Sequence, residues 1–216
     1  MLWGDRLMVI YARDILAAMP GSTIISEVKS SQSLYDDIAK QGGRPIMWKT
    51  GHSLIKAKMK SEQAVLAGEM SGHMFFADRY FGYDDAIYAS CRLVEILAKS
   101  PRPLSVLVAD LPKTFATPEI RVDVSDTVKF ELVKHVQDRM VTYLKLRKEL
   151  GPTKLVLRNV VTIDGVRAIF NEGWGLIRAS NTQPALVLRF EATSLEQLAL
   201  IRSVIEGELA LAKGDP

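Results

Sequence analysis

The stretch Ala64-Val65-Leu66-Ala67-Gly68-Glu69-Met70-Ser71-Gly72-His73 decides the reading of this chain. Its first four residues are apolar and bounded by polar neighbours, which reads as a short buried strand. The polar, glycine-flanked segment Gly68–His73 must then be a loop at the end of that strand. Working outward, Thr23–Val28 is a second buried strand and Pro45–Trp48 a third. Between them Gln32–Gln41 reads as a helix stopped by Gly42-Gly43, and Ser53–Lys60 as another helix. Upstream, a helix runs to about Met19 with Asp5 as its cap, and Pro20-Gly21 ends it. Downstream, Phe75–Tyr83 is aromatic and reads as extended, and Asp84 or Asp85 opens a long helix to about Lys99. Strands alternating with helices predict an α/β layered domain.

Pro112–Pro118 breaks this rhythm and is taken as the boundary, which gives domains at 1–114 and 115–216. Beyond it Arg121–Val124 is a short strand. Asp126 is expected to cap an amphipathic helix with Phe130, Val133, Val136, Met140 and Leu144 on its buried stripe and Gly151-Pro152 at its end. Val160–Ile163 and Val166–Phe170 flank Asp164-Gly165, a hairpin signal. Trp174–Ile177 and Ala185–Glu191 follow as strands. Ser194 with Gln197 forms a capping box for a last helix whose stripe is Leu198, Ile201, Ile205 and Leu209. This half reads as α+β, an antiparallel sheet covered by helices on one face.

Composition excludes several function classes. The chain has 216 residues, 48% hydrophobic and 25% charged, with net charge +3 from 28 basic and 25 acidic residues. So small and scattered a charge gives no footprint for nucleic acid, and Lys56, Lys58 and Lys60 read as a solvated helix end. No apolar run is long enough to span a membrane, and the N-terminus has no signal-peptide pattern. The lone Cys91 cannot form an internal disulfide, which fits a reducing cytoplasm, and its apolar surroundings place it in the core.

Three segments can carry chemistry. In Gly68–His73, Glu69 accepts hydrogen bonds, Ser71 donates and accepts, and His73 can move a proton near neutral pH. The set suits a polyol, and equally describes a polar turn with one surface histidine. In Arg178-Ala179-Ser180-Asn181-Thr182 a guanidinium fork, three polar side chains and turn amides suit a phosphate. The same residues are ordinary in a hairpin turn. Trp48-Lys49-Thr50-Gly51-His52 sits where a helix N-terminus can meet an anion. Lys29, just after a strand, is either a solvated charge or a cleft residue. Glu69 and Arg178 are expected to be exposed loop residues of little structural weight. His52, His73 and His135 lack zinc spacing, so no metal site is expected. Gly4-Asp5-Arg6 has only one of the carboxylates a magnesium loop needs.

Taken together, these motifs resemble the α-D-phosphohexomutases. Gly68–His73 is similar to their sugar-recognition loop, and Arg178–Thr182 followed by Pro184–Glu191 to their C-terminal phosphate loop and next strand. Trp48–His52 and Glu27-Val28-Lys29 agree in position and order, and Glu69-Met70-Ser71 points to the phosphomannomutase/phosphoglucomutase branch. The resemblance implies the third and fourth of four domains: an α/β/α layer, then an α+β fold like the TATA-box-binding protein. It also implies that the phosphorylated serine and the magnesium-holding aspartates belong to missing N-terminal domains, so that this chain binds no cofactor. By the same resemblance Glu69 and Ser71 bind sugar hydroxyls and His73 transfers a proton. Lys29 and His52 line the reacting end. Arg178, Ser180, Asn181 and Thr182 hold the non-reacting phosphate of a hexose phosphate or bisphosphate. A non-catalytic phosphosugar-binding module is the alternative.

Overall fold

The computed structural model describes residues 2–151 and 155–214. The chain forms two compact units, Met1–Pro112 and Lys113–Pro216. In the first, α1 (Gly4–Ala18), β1 (Thr23–Glu27), α2 (Gln32–Lys40), β2 (Arg44–Trp48), α3 (His52–Glu62), β3 (Leu66–Gly68), β4 (Met74–Phe76) and α4 (Ala86–Lys99) follow in order. The sheet runs β2-β1-β3-β4, with β1 parallel to β2 and β3 and only β4 antiparallel. Parallel neighbours need crossovers, and α2 and α3 supply them.

All five residues of β1 are buried, as expected of a strand covered on both faces. Ile24 packs with Met8, Ile15, Leu34, Ile38 and Phe76, largely from α1 and α2. Its neighbour Ile25 points the other way, to Ile55, Met59 and Phe75. This alternation makes an α/β/α layer. Because β1, β2 and β3 run the same way, residues 27–30, 48–52 and 68–73 emerge at one edge of the sheet, where open α/β sheets bind ligands.

Three expectations for this unit need correction. Trp3, not Asp5, occupies the cap position of α1, without a side-chain cap. Asp5 sits in the first turn, where its charge suits the helix dipole, and accepts from the Ser31 amide at 2.9 Å. The aromatic segment is strand only at Met74–Phe76. The Gly82 amide donates back to the Phe76 carbonyl at 2.7 Å and folds the rest into a turn. Cys91 is exposed, because the inward face of α4 is taken by Ala89 and Arg92. Asp85 does cap α4, accepting from Tyr88 at 2.9 Å.

The second unit holds β5 (Phe115–Ala116), β6 (Ile120–Asp123), α5 (Lys129–Leu146), β7 (Glu149–Leu150), β8 (Leu155–Val161), β9 (Val166–Phe170), β10 (Gly173–Ala179), β11 (Ala185–Ala192) and α6 (Leu195–Lys213). Its antiparallel strands order as β5-β11-β10-β9-β8-β7, with β6 also on β11. Leu186, Leu188 and Phe190 alternate onto the face where Val136 and Met140 of α5 and Ile201 and Ile205 of α6 pack. Each such fully buried aliphatic contributes about 1.5–3 kcal/mol. The opposite face carries Trp174, Leu176 and Arg178 of β10 beside Arg167 and Arg189, which flank Leu176 in register.

Here too the caps differ from expectation. α5 starts at Lys129, and Asp126 instead pairs with the Lys129 ammonium at 2.6 Å. That start turns Phe130 outward, 60% exposed, and brings Leu132 and Tyr143 onto the buried stripe. α5 ends at Leu146 through left-handed Arg147, ahead of Gly151; Pro152 lies outside the described residues. Ser194 caps α6 by accepting from the Gln197 amide at 3.1 Å. The reciprocal half of the box is not made, since Gln197 Oε1 has no hydrogen-bond partner.

Candidate functional site

The strand edge of the first unit is organised by a carboxylate that sequence reading gave no role. Glu27 ends β1 and is fully buried. Its Oε2 accepts from the Lys29 amide at 2.7 Å and the Thr50 hydroxyl at 3.1 Å, and its Oε1 from the Met70 amide at 3.1 Å. One side chain thus ties together the loops after β1, β2 and β3. Burial raises its pKa, opposed by the Lys29 charge and the two amide hydrogen bonds. Lys29 is itself buried and is no solvated charge.

Glu69 is the second buried carboxylate, only 5% exposed, which corrects the expectation of a dispensable surface residue. Its Oε1 accepts from the Gly51 amide at 3.1 Å and its Oε2 from the Ser71 hydroxyl at 3.3 Å. The loop closes on itself, with Glu69 N–H donating to the His73 carbonyl and Gly72 N–H to the Glu69 carbonyl, both at 3.0 Å. α1 begins against it. A Cβ at Gly4 would lie 2.6 Å from the Glu69 carbonyl and 2.7 Å from the Gly72 nitrogen. Only glycine fits there.

His73 and His52 meet although the chain separates them. Their rings lie edge to face with centroids 4.3 Å apart, and His52 also meets Phe75 at 5.2 Å. His73 Nδ1 is 2.7 Å from Asp84 Oδ2, while Asp84 Oδ1 accepts from the Met74 amide at 3.0 Å. Chain spacing gave no sign of this, yet the fold brings two of the three histidines together; His135 is exposed on α5. Donation from Nδ1 to Asp84 leaves Nε2 as the ring nitrogen that can accept or return a proton. Among the described residues His52, His73 and Asp84 are the one group of three or more His, Cys, Asp or Glu side chains able to hold a metal. Two imidazoles do not fit magnesium, which takes oxygen ligands in a tight octahedron.

In the second unit Arg178 lies within β10 rather than in a loop, and it too is 5% exposed. Its Nε donates to Asp164 Oδ2 at 3.0 Å, leaving the two terminal amino groups of the fork for a ligand. The Asp164-Gly165 turn rests directly on this strand. Gly165 has φ 75°, and a Cβ there would sit 2.3 Å from the Ile177 carbonyl and 2.6 Å from Arg178 Cα. Ser180 is buried, and its hydroxyl accepts from the Thr182 and Gln183 amides at 3.4 and 3.2 Å. Those amides are therefore spent on shaping the turn instead of cradling an anion. The buried Lys129 ammonium pins the same turn through the Ser180 and Gln183 carbonyls at 2.6 and 3.0 Å. Asn181 and Thr182 stand exposed at its tip.

The structure thus gathers Glu69, Ser71, His73, His52 and Lys29 at one sheet edge of the first unit. Arg178, Ser180, Asn181 and Thr182 gather at one turn of the second. Sequence reading missed Glu27, Asp84, Lys129 and Asp164 as their supports. The available signal for Glu27 was a carboxylate closing an otherwise uncharged, β-prone strand.

The fold is an α/β/α unit followed by an α+β unit, each with a polar loop at a strand end. Residues 3–115 match the family profile described as phosphoglucomutase/phosphomannomutase, alpha/beta/alpha domain III, and residues 119–207 match the phosphoglucomutase/phosphomannomutase C-terminal domain. The chain belongs to the phosphoglucomutase/phosphomannomutase family. It is 46% identical over 208 residues to a phosphomannomutase/phosphoglucomutase of Pseudomonas syringae, covering 96% of this chain and 42% of that protein. It is 42% identical to a phosphoglucomutase of Neisseria gonorrhoeae, covering 94% and 41%. A crystal structure of a Burkholderia thailandensis phosphoglucomutase/phosphomannomutase family protein superposes with TM-score 0.83 at 40% identity, covering 98% of this chain and 42% of that one. The chain therefore spans less than half the length of these relatives. An Aspergillus fumigatus N-acetylphosphoglucosamine mutase, solved with glucose 1,6-bisphosphate, shares the fold at 15% identity and TM-score 0.69, covering 98% and 44%.

Proposed function

We propose that this chain is the sugar- and phosphate-gripping part of a phosphohexomutase, which interconverts hexose 1-phosphate and hexose 6-phosphate through a bisphosphate and an enzyme phosphoserine. The observation that carries the reading is the convergence of Glu69, Ser71, His73, His52 and Lys29 at the carboxyl ends of parallel strands. Glu69 and Ser71 pair with sugar hydroxyls. His73, held by Asp84 at Nδ1, takes or returns a proton at Nε2. Lys29 and His52 line the reacting end. Arg178, oriented by Asp164, grips the non-reacting phosphate with Ser180, Asn181 and Thr182, so that remote binding energy orients the reacting end.

Magnesium and the phosphorylatable serine lie, on this proposal, in N-terminal domains of the same protein. No step is assigned to magnesium in this chain. The partners are hexose phosphates and bisphosphates rather than nucleic acid or a membrane surface, and the compartment is the reducing cytoplasm. No helix of the described residues is long and apolar enough to cross a membrane. Calorimetric titration of the chain with glucose 1,6-bisphosphate, with unphosphorylated glucose as control, tests the proposal. Saturable binding of the bisphosphate that Arg178→Ala weakens tenfold or more supports it. Binding unchanged in that variant contradicts it.

A further inference from the structure

We propose that His52, His73 and Asp84 form a binding site for a divalent transition-metal ion of the zinc class. The three side chains offer one ligand atom each, all within 4.8 Å of one another. Two neutral imidazoles and a carboxylate are the ligand set that zinc, nickel and copper favour and that magnesium does not. Zinc bonds of about 2.0–2.1 Å require the His73–Asp84 pair, 2.7 Å apart, to open by roughly half an ångström and His52 to close in. The geometry permits that movement, because the His73 side chain is 45% exposed and the Asp84 side chain 27%, and His52 is exposed. Rotating the His52 ring trades its edge contact with the buried Phe75 at 5.2 Å for the metal bond.

The backbones beneath them are firm. His52 is the first residue of α3, directly after Gly51, whose amide is held by Glu69. His73 is followed at once by the buried strand β4. Asp84 is anchored by the Met74 amide and by a β-bridge between residues 75 and 84. The ion takes the place of the hydrogen between His73 Nδ1 and Asp84 Oδ2, now 2.7 Å apart, and that hydrogen moves to Nε2 so that the imidazole stays neutral. One further coordination position faces solvent and takes water.

Binding of the ion is independent of what the enzyme does. One consequence rests on the function proposed above: with the ion at Nδ1 the His73 hydrogen sits at Nε2, the nitrogen that must accept a proton, so ion and sugar phosphate would oppose each other.

The test uses the 216-residue chain with Cys91→Ser and His135→Ala, which removes an exposed thiol and an exposed imidazole as competing ligands. Zinc is titrated by calorimetry, and cobalt by its visible absorption, in the presence of excess magnesium. The expected result is one site per chain that magnesium does not displace. His52→Ala and His73→Ala should each weaken it at least tenfold, with amide spectra showing the fold intact. No binding, or binding equal in both variants and their parent, overturns the site. In a second arm glucose 1,6-bisphosphate is titrated with and without zinc. Once the first arm shows the site, weaker binding in zinc supports that opposition and equal binding refutes it.

Discussion

Glu69→Ala should destabilise the first unit by about 2–4 kcal/mol. The carboxylate is 5% exposed and accepts from the Gly51 amide and the Ser71 hydroxyl. A hydrogen bond to a charged group contributes about 1.5–3 kcal/mol. Ser71 is exposed and recovers most of its share from water. Gly51 is half-buried and does not, so its bond counts nearly in full. Loss of the packed methylenes adds about 1 kcal/mol. Glu69→Gln keeps the shape and the acceptor for Gly51, and the Ser71 hydroxyl can turn to accept from the new amide. It should cost about 1 kcal/mol or less. Urea unfolding followed by the fluorescence of Trp48, with amide exchange at Gly51, reads both effects. Exchange at Gly51 should speed up at least tenfold in the alanine variant, the factor that 1.4 kcal/mol gives. If Glu69→Ala shifts stability by under about 0.5 kcal/mol and leaves Gly51 protected, the carboxylate does not brace the loop and its burial has been misread.

Three other outcomes follow from the same geometry. Arg178→Ala should lower stability by about 1.5–3 kcal/mol through the lost bond to Asp164, with Arg178→Lys recovering only part; an unchanged melting temperature would refute the structural weight given to that pair. Burial holds the Glu27 carboxyl above the usual range, so the folded chain keeps a proton that the unfolded chain has already released. Stability should therefore fall as pH rises from about 4.3 through the raised value, and the slope should vanish in Glu27→Gln; unfolding free energies measured from pH 4 to 7 check this. The chain alone should give no conversion of glucose 1-phosphate in a coupled assay with magnesium and bisphosphate activator, and turnover of ~1 s⁻¹ or more would show that the assigned division of labour is wrong.

The parts of the fold legible in the sequence were those written locally. The alternation of short apolar runs with helical patterns placed the strands of the first sheet, and the caps Asp85 and Ser194 each accept from an amide three residues on. Asp5 and Asp126 looked equally good as caps. Their carboxylates instead reach Ser31, a distant partner that no local pattern announces, and Lys129, whose i,i+3 spacing competes with the cap. The same holds at the site. The loops Gly68–His73 and Arg178–Thr182 were visible from their residue types. The burial of Glu27, Glu69 and Arg178 was not, because it depends on loops from separate strands closing over them. The pairing of His52 with His73 needed the strand order β2-β1-β3, which spacing in the chain does not encode.

The most direct test of the central claim is an amide-shift map of the chain titrated with glucose 1,6-bisphosphate. If the chain grips sugar and phosphate as proposed, saturable shifts fall on residues 27–30, 49–52 and 68–73 in the first unit and on 178–183 in the second, while glucose alone reaches only the first set. Shifts confined to other surfaces, or none at millimolar ligand, would contradict it.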